Sequence, residues 1–230
     1  VGVTPFTIGT KYLWTAAGVF DYLNLRTNGY DVHNGLTAGK IKYTDDRIRA
    51  TFANWSEMLD RCSFVENHAS MDWQGGVAAF AKGDAAMYVM GNFAVGAMKD
   101  AGLTSDQIDY FQFPEITPGL PMAEEAPADA FFIPSGAKNK ADAKKFLAFV
   151  ADADTQTKWN IAIGQLPPNN KASVGDDKFI QEGFTVLSNA AGLAQFYDRD
   201  APAEMASEGM KGFQEFMLDP TKLDAILTRL

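Results

Sequence analysis

Three elements follow one another in the stretch Phe80-Ala81-Lys82-Gly83-Asp84-Ala85-Ala86-Met87-Tyr88-Val89-Met90-Gly91-Asn92-Phe93. Apolar residues recur at helical spacing before Gly83 and predict a helix there, with Gly83 as its left-handed C-cap. These residues are Trp73, Val77 and Phe80. The apolar run 85–90 then predicts a buried strand that ends in a turn at Gly91 and Asn92. A helix followed directly by a short buried strand is typical of layered α/β folds.

Amphipathic helices and short apolar runs alternate along the rest of the chain. Apolar stripes at helical spacing lie in 44–62 and 143–150, and short apolar runs at 110–113 and 130–133 predict further strands. Two aspartates lie just before proline-containing helix starts and are predicted to be N-caps. They are Asp200 and Asp219. The alternation favours an α/β fold over a helical bundle.

Composition and charge exclude several classes of protein. The 230 residues are 47% hydrophobic and 21% charged, as in globular proteins. Twenty Lys and Arg residues against 29 Asp and Glu residues give a formal net charge of −9, and no nucleic-acid partner is expected because phosphate binding needs a basic face. Cys62 is the single cysteine, so neither a disulfide nor a zinc cluster is expected, and no cofactor is predicted. Aromatic residues reach 12%, and aromatic faces suit flat, partly apolar ligands.

Motifs of the common enzyme classes are missing from the sequence. It has no P-loop, no nucleophile elbow, no zinc-protease motif and no dinucleotide fingerprint. His33 and His68 are predicted to be surface residues rather than general bases. Paired carboxylates do occur and leave a glycoside-processing enzyme open as an alternative. The pairs are Asp198 with Asp200, and Glu124 with Glu125.

Three segments, taken in order, resemble extracellular solute-binding proteins of carbohydrate ABC transporters, the class that includes maltose-binding protein. The stretch from Phe80 to Phe93 resembles a family segment that closes with a glycine and an aromatic residue, usually Trp. A second resemblance to the family runs from Pro134-Ser135-Gly136-Ala137-Lys138-Asn139 to Phe149. A third, from Gln195-Phe196-Tyr197-Asp198-Arg199-Asp200-Ala201-Pro202 to Phe216, resembles the C-terminal part of a sugar-binding branch.

The resemblance implies a periplasmic-binding-protein-like fold of type II, an α/β lobe whose mixed sheet is covered by helices, with an incomplete second lobe. Residues 1–111 are expected to begin lobe two, 112–158 to cross into lobe one, and 159–230 to return to lobe two. The chain is therefore expected to be a C-terminal fragment. Four apolar side chains of the incomplete lobe are then expected to need another chain or to rearrange. They are Phe131, Phe132, Phe146 and Phe149.

The resemblance also implies a non-catalytic function. Family members close two lobes around a mono- or oligosaccharide and deliver it to a membrane permease. A sugar ring has an apolar C–H face and a rim of hydroxyls, so aromatic platforms beside hydrogen-bonding side chains suit it. By position, the expected ligand-binding residues are Trp14, Gly91, Asn92, Phe93, Tyr197, Asp198 and Arg199, with Asp129 approaching from lobe one.

The last two expectations concern where the protein is located in the cell and whether it associates with itself. The resemblance implies a periplasmic or extracellular bacterial protein, and the chain begins with Val1 and lacks the basic and hydrophobic regions of a signal peptide. A remaining hypothesis is a self-associating unit without ligand binding, in which a neighbouring chain replaces the missing strands of lobe one.

Overall fold

The computed structural model describes residues 2–230, which form two compact units. Of the described residues, unit 1 comprises 2–127 and Ala190–Leu230, and unit 2 comprises Ala128–Asn189. These bounds differ from the lobe boundaries expected at 111 and 158, and the lobe assignment stays a prediction.

Unit 1 combines short strands with helices of up to four turns. Its strands are β1 (Thr4–Thr7), β2 (Ala85–Tyr88), β3 (Glu124–Glu125) and β4 (Leu193–Ala194). Its helices are α1 (Trp14–Asn28), α2 (Tyr30–Thr37), α3 (Asp46–Asp60), α4 (Trp73–Lys82), α5 (Ala94–Asp100), α9 (Tyr197–Asp200), α10 (Ala203–Leu218) and α11 (Leu223–Arg229). Unit 2 contains α6 (Lys140–Ala151), α7 (Ala153–Ile163) and α8 (Lys178–Asn189).

Both strand ladders are parallel. Phe6 of β1 lies opposite Met87 of β2, and Glu125 of β3 lies opposite Ala194 of β4. The predicted strand at 85–90 is confirmed over Ala85–Tyr88, and Gly83 ends α4 in the left-handed conformation with a φ of 80°. The α/β organisation is therefore confirmed, although the sheet within residues 2–230 is limited to these two short ladders.

Aromatic rings from α1, α3 and α10 form the core of unit 1. Phe20 stacks on Phe213 with ring centroids 4.3 Å apart, and Phe52 meets Phe216 edge-on at 4.9 Å. Trp55 lies among them and is 0% exposed. The apolar stripe of α3 thus faces the core, as its spacing predicts. Each favourable ring pair adds about 0.5 to 1.5 kcal/mol beyond the burial of its area.

One buried ion pair joins α1 to β3. Arg26 and Glu124 are each 2% exposed, and their side chains form a salt bridge. The guanidinium also donates to the carbonyl oxygen of Phe113 at 2.9 Å and to that of Ala123. The Tyr22 hydroxyl donates to Glu124 at 3.0 Å. These hydrogen bonds offset the desolvation of both charges and fasten the loop before β3 to α1.

Unit 2 presents a large aromatic surface. Phe131 contacts the rings of Phe146 and Trp159, with centroids 6.0 and 5.8 Å away, yet it remains 55% exposed. Phe132 is 80% exposed and Phe149 is 61% exposed. The strand predicted at 130–133 is not formed, and neither is the strand predicted at 110–113. An apolar run becomes a strand only where a second strand satisfies its backbone, and the described residues supply none at these places.

The prediction that both histidines lie at the surface is wrong. His33 is 0% exposed and His68 is 5% exposed. Thr10 approaches the Nδ1 atom of His68 at 2.9 Å, and Asn24 approaches that of His33 at 3.4 Å. Burial lowers the pKa of His33 to about 4 and also lowers the pKa of His68. Both rings are therefore neutral near pH 7, which is why they tolerate the interior.

The two predicted N-caps have different outcomes. Asp219 accepts the N–H of Thr221 at 3.2 Å and caps the 3-10 turn Pro220–Lys222, as predicted. The prediction for Asp200 is wrong, because Asp200 ends α9 and accepts a hydrogen bond from the Thr37 hydroxyl at 2.6 Å. Asp200 thus bonds Thr37 of α2 instead of capping the helix that begins after Pro202.

Candidate functional site: an aromatic wall in unit 1

Four half-buried aromatic side chains meet at the start of α1. They are Trp14, Trp73, Phe93 and Phe196, and together they are called the aromatic wall. Ring centroids are 6.4 Å apart for Trp14 and Phe93, 6.1 Å for Trp14 and Phe196, and 5.6 Å for Trp73 and Phe93. The last pair is edge-on. Four separate stretches of the sequence thus form one continuous aromatic surface that is neither core nor fully exposed.

The loop before α1 fixes the direction of Trp14. Leu13 has a φ of 69°, in the left-handed region that residues other than glycine rarely adopt. The Leu13 N–H donates to the carbonyl of Thr10 at 2.8 Å, and the Thr15 hydroxyl donates to the carbonyl of Gly9 at 2.6 Å. Local hydrogen bonds therefore hold a strained residue directly before Trp14, and strain of this kind collects at functional sites.

The turn after β2 places Phe93 and a polar amide side by side. A Cβ atom at Gly91 would lie 2.5 Å from the Phe93 ring, so only glycine allows this ring position. Next to it, the Nδ2 atom of Asn92 is buried and meets no hydrogen-bond acceptor within residues 2–230. Buried amide donors are seldom left unpaired, which makes Asn92 a candidate donor to a ligand.

Charged side chains border the wall on α9. The guanidinium carbon of Arg199 lies 5.7 Å from the centroid of the Phe196 ring, and both Asp198 and Arg199 are exposed. An arginine beside an aromatic ring supplies planar hydrogen-bond donors at the edge of an apolar face. This combination matches the requirements of a sugar ring, which has both kinds of surface.

Of the other expected site residues, Tyr197 is buried in unit 1 and Asp129 belongs to unit 2. Tyr197 is 0% exposed, and its hydroxyl donates to the carbonyl of Met205 at 2.9 Å and contacts the hydroxyl of Tyr43. Tyr197 therefore packs in the core, and its contact with a ligand stays a prediction. Asp129 lies in unit 2, in the exposed loop before α6, and its contact with a sugar stays a prediction.

Sequence reasoning missed two members of the wall. Trp73 shares helical spacing with Val77, which favours packing against the core, and Phe196 lies within the third resembling segment but gives no separate signal. One local sign could have identified Trp73. Like Trp14, it is the first residue of a helix, directly after the Asp72 N-cap. A large side chain on the first residue of a helix can lie over the end of the helix instead of on the apolar face that packs against the core.

Three of the four paired carboxylates of the enzyme alternative have structural partners, whereas Asp198 is exposed. Glu124 is held by Arg26, Glu125 is a buried neighbour of Asp21, and Asp200 accepts a hydrogen bond from Thr37. None of these arrangements resembles an exposed acid and base that flank a scissile bond. In residues 2–230, no group of three or more His, Cys, Asp or Glu side chains could hold a metal ion.

Comparison of sequences identifies the family. The chain matches the family model of bacterial extracellular solute-binding proteins over residues 2–157, and it belongs to that family. An uncharacterized ABC transporter extracellular-binding protein of Pyrococcus horikoshii is 29% identical and covers 80% of this chain. A probable sugar-binding periplasmic protein of Mesorhizobium japonicum is 27% identical and covers 90% of this chain. The chain spans 40% and 50% of the lengths of these two relatives.

Solved structures share the fold. The bacterial solute receptor AcbH, described as having an exclusive substrate preference for β-D-galactopyranose, matches with a TM-score of 0.82 and 26% identity. It covers 99% of this chain, which spans 59% of its length. A chitin oligosaccharide binding protein matches with a TM-score of 0.81 at 20% identity, over 98% of this chain and 59% of its own. The predicted periplasmic-binding-protein-like fold of type II is therefore confirmed. No helix in the described part of the chain is long and apolar enough to cross a membrane.

Proposed function

We propose that the protein is the sugar-binding component of an ABC uptake system and that the aromatic wall is part of its carbohydrate site. The observation that carries this proposal is the wall itself. Trp14 and Phe93 are half-buried and adjacent, although they could have been fully buried in a core as rich in aromatics as that of unit 1. Half-buried aromatic surfaces of this kind are suited to ligands with one apolar face.

The chemistry of the wall favours a pyranose. Trp14 and Phe93 offer ring faces for the C–H side of the sugar, and Asn92 and Arg199 offer donors for its hydroxyls. Phe93 is smaller than the tryptophan usual in the family, which favours a compact ligand over a long oligosaccharide. The 26% identity to AcbH makes D-galactose the first candidate. We further propose that the protein acts without catalysis, outside the cytoplasmic membrane, and delivers the sugar to a membrane permease.

Titration calorimetry with a saccharide panel tests the proposal. The panel contains D-galactose, D-glucose, xylobiose, chitobiose and stachyose. We expect saturable binding of at least one sugar, with the sugar recovered unchanged by chromatography. If no saccharide or polyol binds, the proposal is wrong. If the sugar is hydrolysed and Asp198→Asn abolishes hydrolysis, the glycoside-processing alternative is favoured instead.

Trp14→Ala is expected to weaken sugar binding about 30-fold to 100-fold, because a central aromatic contact commonly contributes about 2 to 3 kcal/mol. Trp14→Phe keeps an aromatic face and is expected to retain most of the affinity. Calorimetry measures both variants, and thermal unfolding confirms that they fold. Phe111→Ala is the control, since Phe111 is 66% exposed and lies outside the wall. Unchanged affinity in Trp14→Ala would remove the wall from the binding site.

A second candidate property is self-association through unit 2. Its support is the exposed aromatic surface around Phe132 and Phe149, which is unusual for a protein surface that contacts only water. Light scattering over a concentration series tests it. A mass that rises with concentration in the wild type but not in Phe132→Ser would support it, and a monomer at every concentration would contradict it.

A further inference from the structure

Two carboxyl groups are buried next to the segment that carries Phe196. Asp21 of α1 is 0% exposed, and its carboxyl group lies next to that of Glu125 of β3. The Oδ2 atom of Asp21 accepts the backbone N–H of Tyr197 at 2.9 Å. The Oδ1 atom of Asp21 and the Oε1 atom of Glu125 are both buried, and no donor of the described chain reaches either.

One proton between the two groups satisfies both orphaned oxygens. Two carboxylates in contact repel each other, and burial adds the cost of desolvating each charge. Burial and, to a smaller extent, the charges of Asp198 and Asp200 raise the pKa of Asp21 to about 7, although the interaction with Glu125 and the hydrogen bond from the Tyr197 N–H act in the opposite direction. Burial and the charge of Asp21 also raise the pKa of Glu125 well above its usual range. The pair therefore behaves as one unit that holds a proton near neutral pH.

The surroundings of the pair are mostly acidic or neutral. Arg26, the cation on α1, already bonds Glu124. Burial keeps the neighbouring tyrosines and His33 uncharged near pH 7. The titratable and charged groups on the elements packed around the pair are Tyr22, Arg26, His33, Tyr43, Glu124, Tyr197, Asp198, Arg199 and Asp200.

We propose that Asp21 and Glu125 share one proton and that this proton positions Phe196 in the aromatic wall. The shared proton joins α1 to β3, and the same Asp21 carboxyl holds the backbone of Tyr197, the residue next to Phe196. The ladder of β3 with β4 leads directly into that segment, with the Ala126 N–H bonded to the carbonyl of Ala194 at 2.9 Å. When the proton leaves, repulsion separates the carboxylates and moves Phe196 relative to Trp14.

We assign both as positioning residues, because Asp21 is 0% exposed and the Oε1 atom of Glu125 that faces this cluster is buried. The expected effect of pH on sugar affinity rests on the proposed function. The expected movement of Phe196 within the aromatic wall does not. Asp21→Asn and Glu125→Gln are the decisive variants. In each, an amide N–H takes the place of the shared proton but does not titrate. Asn at position 21 also keeps an oxygen for the Tyr197 N–H.

The indole ¹H–¹⁵N signal of Trp14 tests the proposal without any sugar. In the wild type we expect it to shift as the pH is raised through the pKa at which the pair loses its shared proton, because the Phe196 ring is 6.1 Å away and its ring current reaches the indole. In Asp21→Asn and Glu125→Gln the signal is expected to stay at its low-pH position. Asp84→Asn, an exposed carboxylate of unit 1, is expected to titrate like the wild type. A pH-invariant wild-type signal, or the same titration in both amide variants, would overturn the proposal.

Calorimetry with D-galactose separates the two proposals. If the protonated pair is the binding-competent form, wild-type affinity is expected to be about tenfold weaker above the pH at which the Trp14 signal changes than below it, and unchanged in the amide variants. Absence of galactose binding at every pH, with the Trp14 titration intact, would count against the proposed ligand and leave the positioning role supported. Galactose binding that varies less than about twofold with pH in the wild type would overturn the coupling of the proton to the site.

Discussion

Arg26→Met is expected to destabilise the protein by about 3 to 5 kcal/mol, because it leaves the buried Glu124 carboxylate without its counterion. The loss extends beyond one ion pair. The guanidinium also satisfies the carbonyl oxygens of Phe113 and Ala123, which lose a donor in the variant. Urea unfolding followed by circular dichroism measures the change in the free energy of unfolding.

Arg49→Met is the matched control for this prediction. Arg49 bonds Asp224 at 2.6 Å, but the two side chains are 39% and 86% exposed, so the pair contributes about 1 kcal/mol or less. The double variant Arg26→Met/Glu124→Met should be more stable than Arg26→Met, since it no longer buries an unpaired charge. Similar small losses for Arg26→Met and Arg49→Met would show that the buried pair does not fasten β3 to α1.

Phe213→Ala is expected to cost about 3 to 5 kcal/mol, the range for an aromatic side chain removed from a packed core. Phe213 is 0% exposed, and its ring lies 4.3 Å from that of Phe20 and 5.0 Å from that of Tyr197, measured between centroids. The cavity would lie among rigid rings from α1, α3 and α10, which cannot collapse to fill it. Chemical unfolding measures the effect, with Phe111→Ala expected to stay within about 0.5 kcal/mol of the wild type. Equal stability of the two variants would contradict the central position of Phe213.

Local patterns in the sequence predicted the elements that depend on neighbouring residues. The apolar stripe of α3, the glycine cap at Gly83, the strand at Ala85–Tyr88 and the cap at Asp219 all follow from spacing and backbone chemistry within a few residues. The strands expected at 110–113 and 130–133 are not formed, because a strand depends on residues far away in the sequence. A strand needs a partner, and partners are chosen by the tertiary fold.

The candidate site was predictable only in part. Trp14 and Phe93 were found through a family resemblance, which carries information about the tertiary fold that composition does not. Trp73 could not be placed in the wall from its sequence, because helical spacing alone cannot distinguish a side chain that faces the core from one at the end of a helix. The Asp21 and Glu125 pair gave no signal at all, since each carboxyl looks ordinary in sequence and becomes unusual only when folding brings it to the other.

The tryptophans provide the most direct test of whether the aromatic wall binds sugar. The chain has four of them, and their indole signals can be followed together during a titration with D-galactose or the tightest-binding sugar of the panel. Trp14 and Trp73 are expected to shift in proportion to the bound fraction, whereas Trp55, 0% exposed in the core, is expected to stay in place. A sugar that binds while Trp14 and Trp73 remain unmoved would contradict the assignment of the wall as the carbohydrate site.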